Sequence, residues 1–227
     1  FSVMDLLVKW SSEYPTGEVL FFRGFFGLLP TYFLIPKKDK VLKRIIDTFP
    51  NEHLFLNTNY YHSLINSIIG QQISVGAASS VRKKFFALNR NITPTNVLRI
   101  KDTSMKKCGL SRQKTLYIKN ISHFFIYKKN FIKNITSFSE IEITNNLISI
   151  KGVGQWTAHM FLIFSMGSPD IFPRGDLGFI KAISRSYKKN IPISEDYLNA
   201  LQKKWSPYNS MATWYLWRSL DPLPINY

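Results

Sequence analysis

The sequence predicts an all-α fold, on three observations. From Lys37 onward, apolar residues recur at helical spacing almost throughout the chain. Ser, Thr and Pro stand repeatedly at positions that favour the start of a helix. Short runs of alternating polar and apolar residues, which are typical of strands, are scarce. The 227 residues suffice for one large domain or for two small lobes that share a core.

The first predicted helix after Lys37 carries four apolar residues on one face: Val41, Ile45, Ile46 and Phe49. Two helices follow over 60–69 and 74–86, and Ser74 is placed to cap the second of them. The segment Gly70-Gln71-Gln72-Ile73 separates the two helices. The sequence therefore predicts a tight, polar turn between them.

Further helix starts are marked by capping residues. Thr93 precedes Pro94, and a proline at the first helical position lacks an N–H group that would have no partner there anyway. Ser111 is placed to cap a helix through 124, and Ser139 with Glu142 forms a capping box for a helix through about 148. The remaining predicted helices cover 155–165, 176–187, 194–204 and 207–220.

The chain is strongly basic. It contains 30 Lys and Arg residues against 14 Asp and Glu, a formal net charge of +16, which predicts a polyanionic partner. Aromatic residues make up 15% of the chain, which is too many for a disordered basic tail. The charge is therefore carried by a folded protein.

Cysteine and histidine argue against several classes of site. The single cysteine, Cys108, excludes a disulfide framework, a four-cysteine zinc site and a cysteine-ligated iron–sulfur cluster, and it indicates a reducing compartment. The four histidines are dispersed and show no metal-ligand spacing. We therefore expect no catalytic metal.

The amino-terminal segment, residues 1–36, differs from the rest of the chain because 19–35 is largely apolar. A membrane anchor is one interpretation. The high positive charge of the chain and the breaks at Gly24, Gly27 and Pro30 argue against it. We expect this segment to pack on the domain or to precede the functional start, with no stable membrane association.

A Gly-x-Gly turn lies between two predicted helices, at Gly152-Val153-Gly154. Glycines permit positive backbone angles in a tight hairpin and let a phosphate approach the backbone, where the N–H groups of the second helix face it. Taken alone, the same pattern also fits a purely structural turn. The basic charge of the chain favours phosphate binding.

Three further motifs accompany this hairpin: Gly70-Gln71-Gln72-Ile73-Ser74, the segment 170–178 (Asp-Ile-Phe-Pro-Arg-Gly-Asp-Leu-Gly), and a closing segment over 205–218. Together the four motifs resemble those of the helix-hairpin-helix DNA glycosylases of the 3-methyladenine DNA glycosylase II type. The resemblance covers about 37–220. Some members carry a β-rich domain before the helical core, and we expect the 36 residues that precede the core here to be too few to form it. The chain departs from the family at Lys151, where proline is common.

The resemblance implies a two-lobed helical fold with the active site in the cleft between the lobes. The glycosylase domain would span 37–227, with a middle lobe over about 60–168 and a second lobe made from 37–59 and 169–227. The implied activity is excision of alkylated purines, such as 3-methyladenine and 7-methylguanine, from double-stranded DNA in base excision repair. Two alternatives stay open: a non-catalytic DNA-binding protein, and a glycosylase for another lesion such as 8-oxoguanine.

Asp176 is the candidate catalytic residue. An aspartate before a helix is most often an N-cap, which satisfies backbone N–H groups. Cleavage of a glycosidic bond, however, develops positive charge on the sugar, and a nearby carboxylate stabilises that charge and orients water. The resemblance places the catalytic carboxylate at Asp176. Asp170, six residues earlier, is expected to cap a helix or to brace the loop.

Relatives that also cleave the DNA strand carry a lysine two residues after the second hairpin glycine, which forms a Schiff base with the sugar. This chain has Trp156 at that position. The resemblance therefore implies a monofunctional glycosylase that leaves an abasic site. Lys151 lies on the other side of the turn and is interpreted as a phosphate contact.

The resemblance also assigns binding residues. The pocket for the flipped base would be formed by Trp156, Met160, Gly178 and Trp217. DNA would be bound by Gln71, Gln72, Gly152, Gly154 and Thr157, with Gln72 as the wedge that fills the gap left by the base. We expect no cofactor beyond a structural monovalent cation at the hairpin, a monomeric enzyme, and a cytoplasmic location in a bacterium or a nuclear one in a eukaryote.

Overall fold

A computed structural model describes residues 39–49 and 54–220, and within these ranges every regular element is helical. The helices are α1 (Lys40–Thr48), α2 (Tyr60–Gly70), α3 (Val75–Phe86), α4 (Pro94–Arg99), α5 (Asp102–Lys107), α6 (Arg112–Tyr127), α7 (Lys129–Lys133), α8 (Glu140–Ile148), α9 (Gln155–Phe161), α10 (Leu177–Tyr187), α11 (Glu195–Trp205) and α12 (Asn209–Arg218). The all-α prediction is confirmed.

The capping residues act as the sequence predicts. Ser74, Thr93, Ser111 and Ser139 each accept a hydrogen bond from a backbone N–H of the helix they precede. At Ser139 both halves of the capping box are present, because the Glu142 carboxylate accepts from the Ser139 backbone. These caps set where the helices begin.

Some elements differ from the predicted ones. The short helices α5 and α7 were not predicted, because six and five residues show too little periodicity to be recognised. The helix predicted over 155–165 is divided into α9 and a π-helical stretch, Leu162–Met166, that ends at Gly167 in the left-handed region. The last helix begins at Asn209 rather than at 207.

The helices pack in two groups. In the first, α2 lies at the centre, and α6, α9 and α3 pack on it, while α4 packs on α6 and α8 on α9. In the second, α12 contacts α1, α10 and α11 around the buried side chains of Trp205 and Tyr215. The π-helical stretch follows α9 and contacts α2, and the loop after it leads to α10. Asp176 therefore lies where the chain passes from one group to the other.

A buried carboxylate ties α1 to the second group. Asp39 is 1% exposed and caps α1. Its oxygens accept hydrogen bonds from five donors: the Val41 and Leu42 backbones, Tyr187 Oη, Trp205 Nε1 and Lys204 Nζ. Burial acts to raise the pKa of this carboxyl, but the hydrogen bonds, that of Trp205 first among them, outweigh burial and hold the pKa below its usual value.

This network predicts a pH-dependent contribution to stability. A carboxyl whose pKa is lowered on folding stabilises the fold fully above its unfolded pKa of about 3.9, and this contribution is lost as the pH falls through the folded pKa. We expect Asp39→Asn to reduce the free energy of unfolding at pH 7 by about 1–3 kcal/mol, with a smaller difference below pH ~4. Urea unfolding of both proteins across pH measures this. The exposed Asp47, paired with Lys43, provides the control Asp47→Asn, whose effect should stay below about 0.5 kcal/mol; equal effects would contradict the prediction.

The interpretation of residues 1–36 lies outside the described residues. Within 39–49 and 54–220, no helix has the length and apolar character needed to span a bilayer.

Candidate active site

The Asp176 carboxylate lies at the start of α10 and is bound by three donors. It caps α10 through a hydrogen bond of 2.5 Å from the Phe179 backbone N–H to Oδ1. The indole N–H of Trp217 donates to the same oxygen at 2.9 Å, and that of Trp156 donates to Oδ2 at 2.6 Å. The N-cap interpretation is thus confirmed, and the carboxylate has two indole partners besides.

These partners determine what the carboxylate can do. All three are donors, which suits an ionised carboxylate because it only accepts. The N-terminus of α10 adds the positive end of the helix dipole. The carboxylate is therefore fixed in orientation by α9, α10 and α12 at once, and Oδ2 has acceptor capacity beyond its bond to Trp156.

The loop before Asp176 is held by Arg174. The Arg174 guanidinium lies 5.4 Å from the centre of the Phe172 ring. It donates to three side chains of α11: Glu195 at 2.7 Å, Asn199 at 2.6 Å and Gln202 at 2.5 Å. The Asp176 backbone N–H donates to the Pro173 carbonyl at 2.9 Å, which closes the turn. The sequence did not indicate this role of Arg174, because nothing in it shows that α11 faces this loop.

Asp170 braces the same loop from its other end, as expected. Its carboxylate accepts hydrogen bonds from Ser206 Oγ at 2.8 Å and from the Asn209 backbone and side chain at 3.3 and 2.5 Å. Asp170 therefore joins the loop before α10 to the turn between α11 and α12.

Gly178 lies against the carboxylate. A Cβ at this position would stand 3.1 Å from Asp176 Oδ1 and 3.6 Å from Trp217 Cδ1. Because its backbone is helical, Gly178 is required for space and not for backbone conformation. The structure thus brings Gly178, Trp156 and Trp217 together around Asp176.

This contact leads to a prediction for Gly178→Ala. We expect the fold to be retained or stabilised by up to about 1 kcal/mol, because alanine favours a helix. The rate of base excision should fall roughly 10-fold, because the methyl group displaces the carboxylate. Single-turnover rates and thermal unfolding measure the two effects. Gly76 holds the same second position in α3, and its Cβ would meet nothing within 4 Å, so Gly76→Ala is the control; a full rate in Gly178→Ala would refute the prediction.

The predicted pocket residues differ in exposure. Trp156 is half-buried, whereas Trp217 is 5% and Met160 1% exposed. The Trp217 ring stacks on Phe164 with the ring centres 6.0 Å apart and the planes at 14°. Met160 therefore lies in the hydrophobic core, Trp217 is buried behind the carboxylate to which it donates, and Trp156 is the more accessible ring.

The two hairpin glycines have different environments. Gly152 has φ of 106°, and a Cβ there would stand 2.1 Å from the Tyr117 ring. Gly154 has an extended backbone, is exposed, and a Cβ there would meet nothing within 4 Å. Gly152 is therefore needed for the turn and its packing, whereas Gly154 leaves open space in front of α9, whose first N–H groups have no side-chain cap.

The turn between α2 and α3 presents its two glutamines differently. Gln72 is exposed with φ of 57°, in the left-handed region. Gln71 points inward, and its Nε2 donates to the Gly152 carbonyl at 3.3 Å and to Thr157 Oγ1 at 3.1 Å. Thr157 is 1% exposed and its hydroxyl accepts this bond from Gln71, so the predicted DNA contact of Thr157 is buried inside the hairpin.

In the described part of the chain, no three His, Cys, Asp or Glu side chains are grouped so that they could hold a metal ion. The site around Asp176 consists of one carboxylate, indole and backbone donors, and glycine.

The family model of the HhH-GPD superfamily of base excision DNA repair proteins matches residues 65–207, which include the turn at Gln72, the hairpin and Asp176. The chain belongs to this superfamily. This HhH-GPD chain is similar in sequence to proteins named DNA-3-methyladenine glycosylases. DNA-3-methyladenine glycosylase 1 of Schizosaccharomyces pombe is 28% identical over 163 residues, which are 70% of this chain and 72% of that one. DNA-3-methyladenine glycosylase of Saccharomyces cerevisiae is 26% identical over 70% of this chain. The chain spans 66% of that protein's length.

Solved structures agree with the fold of this HhH-GPD chain. The S. pombe 3-methyladenine DNA glycosylase Mag1 in complex with abasic DNA superposes with a TM-score of 0.72, 24% identity, and coverage of 85% of this chain and 95% of that one. DNA-3-methyladenine glycosidase from Bacillus halodurans gives a TM-score of 0.67 at 28% identity, covering 84% of this chain and 88% of that one. The two-lobed helical architecture is thereby confirmed.

Proposed function

We propose that this chain is a monofunctional DNA glycosylase that excises alkylated purines, such as 3-methyladenine and 7-methylguanine, from double-stranded DNA. The observation that carries the proposal is the Asp176 carboxylate, held between the indole N–H groups of Trp156 and Trp217 at the N-terminus of α10. Relatives named DNA-3-methyladenine glycosylases, which share the superfamily, support the choice of substrate.

In the proposed reaction the bond between the purine nitrogen and C1′ of the sugar breaks, and its electron pair leaves with the base. The sugar becomes cationic, and the Asp176 carboxylate stabilises that charge. A water oxygen then bonds to C1′, and its proton passes to Asp176 Oδ2 and from there to solvent, leaving an abasic site. The fixed carboxylate needs little reorganisation during the reaction, because three donors already orient it.

The donors around Asp176 also bear on substrate choice. Indole and backbone N–H groups are very weak acids, so none of these partners of Asp176 can protonate a neutral leaving base. An N-alkylated purine such as 7-methylguanine carries a positive charge and leaves as a neutral base without a proton. Its charge also favours stacking on an electron-rich ring such as Trp156. Neutral lesions such as hypoxanthine should therefore react more slowly.

Strand cleavage is not part of the proposed activity. The lyase reaction needs an amine beside C1′, and Trp156 occupies the position where related lyases carry lysine. Lys151 is exposed on the far side of the hairpin, and its carbonyl accepts a hydrogen bond from Asn120. Borohydride, which traps a Schiff base between enzyme and sugar, should yield no covalent complex.

The DNA-binding surface would combine the exposed Gln72 with the hairpin. Gln72 would enter the gap left by the flipped base, and a phosphate would approach Gly154 and the N–H groups that open α9. The net charge of +16 supports salt-dependent attraction to DNA. We propose that the enzyme acts as a monomer wherever the genome lies, in the cytoplasm of a bacterium or the nucleus of a eukaryote.

We further propose a structural monovalent cation at the hairpin. The carbonyls of Lys151 and Gly152 already accept hydrogen bonds from Asn120 and Gln71. A carbonyl oxygen has two lone pairs, so these hairpin carbonyls each keep one for such a cation. When bound, such an ion would supply positive charge beside a DNA phosphate.

The proposal is tested by incubating the protein with methylated duplex DNA and separating the released bases by chromatography. We expect 3-methyladenine and 7-methylguanine to be released, with hypoxanthine from a matched duplex released more slowly. Salt-sensitive DNA binding without any release would indicate a non-catalytic binder. Release from 8-oxoguanine duplexes alone would assign another lesion.

A further inference from the structure

One face of α6 contacts both turns that would meet DNA. Lys114, Tyr117 and Asn120 are spaced by three residues and therefore lie along this face. Lys114 Nζ donates to the Ile69 carbonyl at 2.8 Å and to the Gln71 carbonyl at 2.7 Å, at the end of α2. The ammonium of Lys114 thus lies at the negative end of the α2 dipole, one residue before Gln72.

The other two residues of this face hold the hairpin. The Tyr117 ring packs against Gly152 so closely that no side chain fits there. Asn120 Nδ2 donates to the Lys151 carbonyl at 3.0 Å. The hairpin and the turn that carries Gln72 therefore contact the same rigid helix. Their contact points on α6 lie no more than about two helical turns apart.

Gln71 joins the two turns directly. Its backbone carbonyl is bound by Lys114, and its side chain donates to Gly152 and Thr157 across the gap between the turns. The residue that follows, Gln72, has φ of 57°, a conformation that a non-glycine residue keeps only when its surroundings enforce it. The bonds of Lys114 and Gln71 fix the peptide just before it.

The position of Lys114 is unfavourable for a lysine. The side chain is only half-exposed, and burial lowers the pKa of its ammonium. Arg112, two residues earlier, is exposed to solvent. The cost of burying a charge at position 114 is offset by its bonds to two carbonyl oxygens, which hold the turn in place.

We propose that Lys114 and Gln71 are positioning residues that hold Gln72 at a fixed distance from the hairpin, so that wedge insertion and phosphate binding occur in one docking event. This inference rests on the proposed glycosylase function. Neither residue touches the reacting atoms. Their effect is on the step in which the base leaves the helix, and not on cleavage of the bond.

The test compares two duplexes that carry 7-methylguanine, one opposite cytosine and one opposite an abasic-site analogue. In the second duplex the base is already unpaired, so a wedge contributes little. We expect Lys114→Met to lower the single-turnover rate roughly 10-fold on the paired duplex and less than about 2-fold on the unpaired one. Gln71→Ala should show the same pattern. It replaces Lys114→Met in the test if circular dichroism shows that Lys114→Met does not fold.

Two comparisons make the test specific. Arg112→Met removes the same charge from the same end of α6 and should affect both duplexes equally. In a Gln72→Ala background, Lys114→Met should add less than about 2-fold, because it acts through Gln72.

An equal loss on both duplexes, or full activity of Lys114→Met on the paired one, would overturn the positioning inference. If the unmodified protein releases no base from either duplex, the proposed function fails, and the inference fails with it.

Discussion

Replacing Asp176 with asparagine is expected to lower the single-turnover rate of base excision by at least about 10³-fold, which corresponds to about 4 kcal/mol of transition-state stabilisation. Asparagine keeps the shape of the side chain and can still cap α10 by accepting from the Phe179 N–H, because aspartate and asparagine are similar N-caps. What is lost is the negative charge beside the developing sugar cation, together with the oxygen that accepts from the Trp156 indole N–H.

The same substitution also tests the alternative that Asp176 only caps the helix. In that case Asp176→Asn would change neither the rate nor the fold appreciably. Binding to DNA with an abasic-site analogue should remain within about 3-fold of the unmodified protein, because the hairpin and Gln72 are untouched. Rapid-quench measurement of released base, together with this binding control, distinguishes lost chemistry from lost binding. An active Asp176→Asn protein would refute the catalytic assignment.

Replacing Gly152 with alanine is expected to give the second large effect, on stability. The Gly152 backbone has φ of 106°, which alanine rarely adopts, and the new Cβ would stand 2.1 Å from the Tyr117 ring. The strained backbone and the overlap together should reduce the free energy of unfolding by about 3 kcal/mol or more. Thermal and urea unfolding of the purified protein measure this loss.

Gly154→Ala is the matched control, two residues along the same hairpin. Its backbone is extended and its Cβ would meet nothing within 4 Å, so the expected loss of stability is below about 1 kcal/mol. Its effect should instead be on DNA affinity, because the methyl group stands where a phosphate would approach. Equal destabilisation by Gly154→Ala and Gly152→Ala would contradict this difference between the two glycines.

Much of the fold could be predicted because its determinants are local. Ser111 and Ser139 start helices through bonds to N–H groups three residues away, and such bonds are encoded by adjacent residues. Asp176 was likewise predicted at a helix start. The periodic apolar residues then indicated which helix faces lie in the core.

The features that sequence did not predict depend on contacts between distant residues. Gln71 was predicted to bind DNA, yet its amide faces Gly152, 81 residues away. The hydroxyl of Thr157 is buried for the same reason. Arg174 binds α11 more than 20 residues later, and the bonds of both indoles to Asp176 depend on how α9 and α12 pack. For α6, the spacing of Lys114, Tyr117 and Asn120 was a signal present in the sequence, but it did not show which turns the helix touches.

The most direct test of the central claim is the single-turnover reaction of the unmodified protein with a duplex that carries one 7-methylguanine. The released base and the DNA strand are analysed from the same sample, before and after alkali. We expect stoichiometric release of the base and a strand that breaks only after alkali, because the product is an abasic site formed by hydrolysis. Strand cleavage without alkali would contradict this expectation. So would 7-methylguanine that stays attached to the strand although all of the DNA is bound.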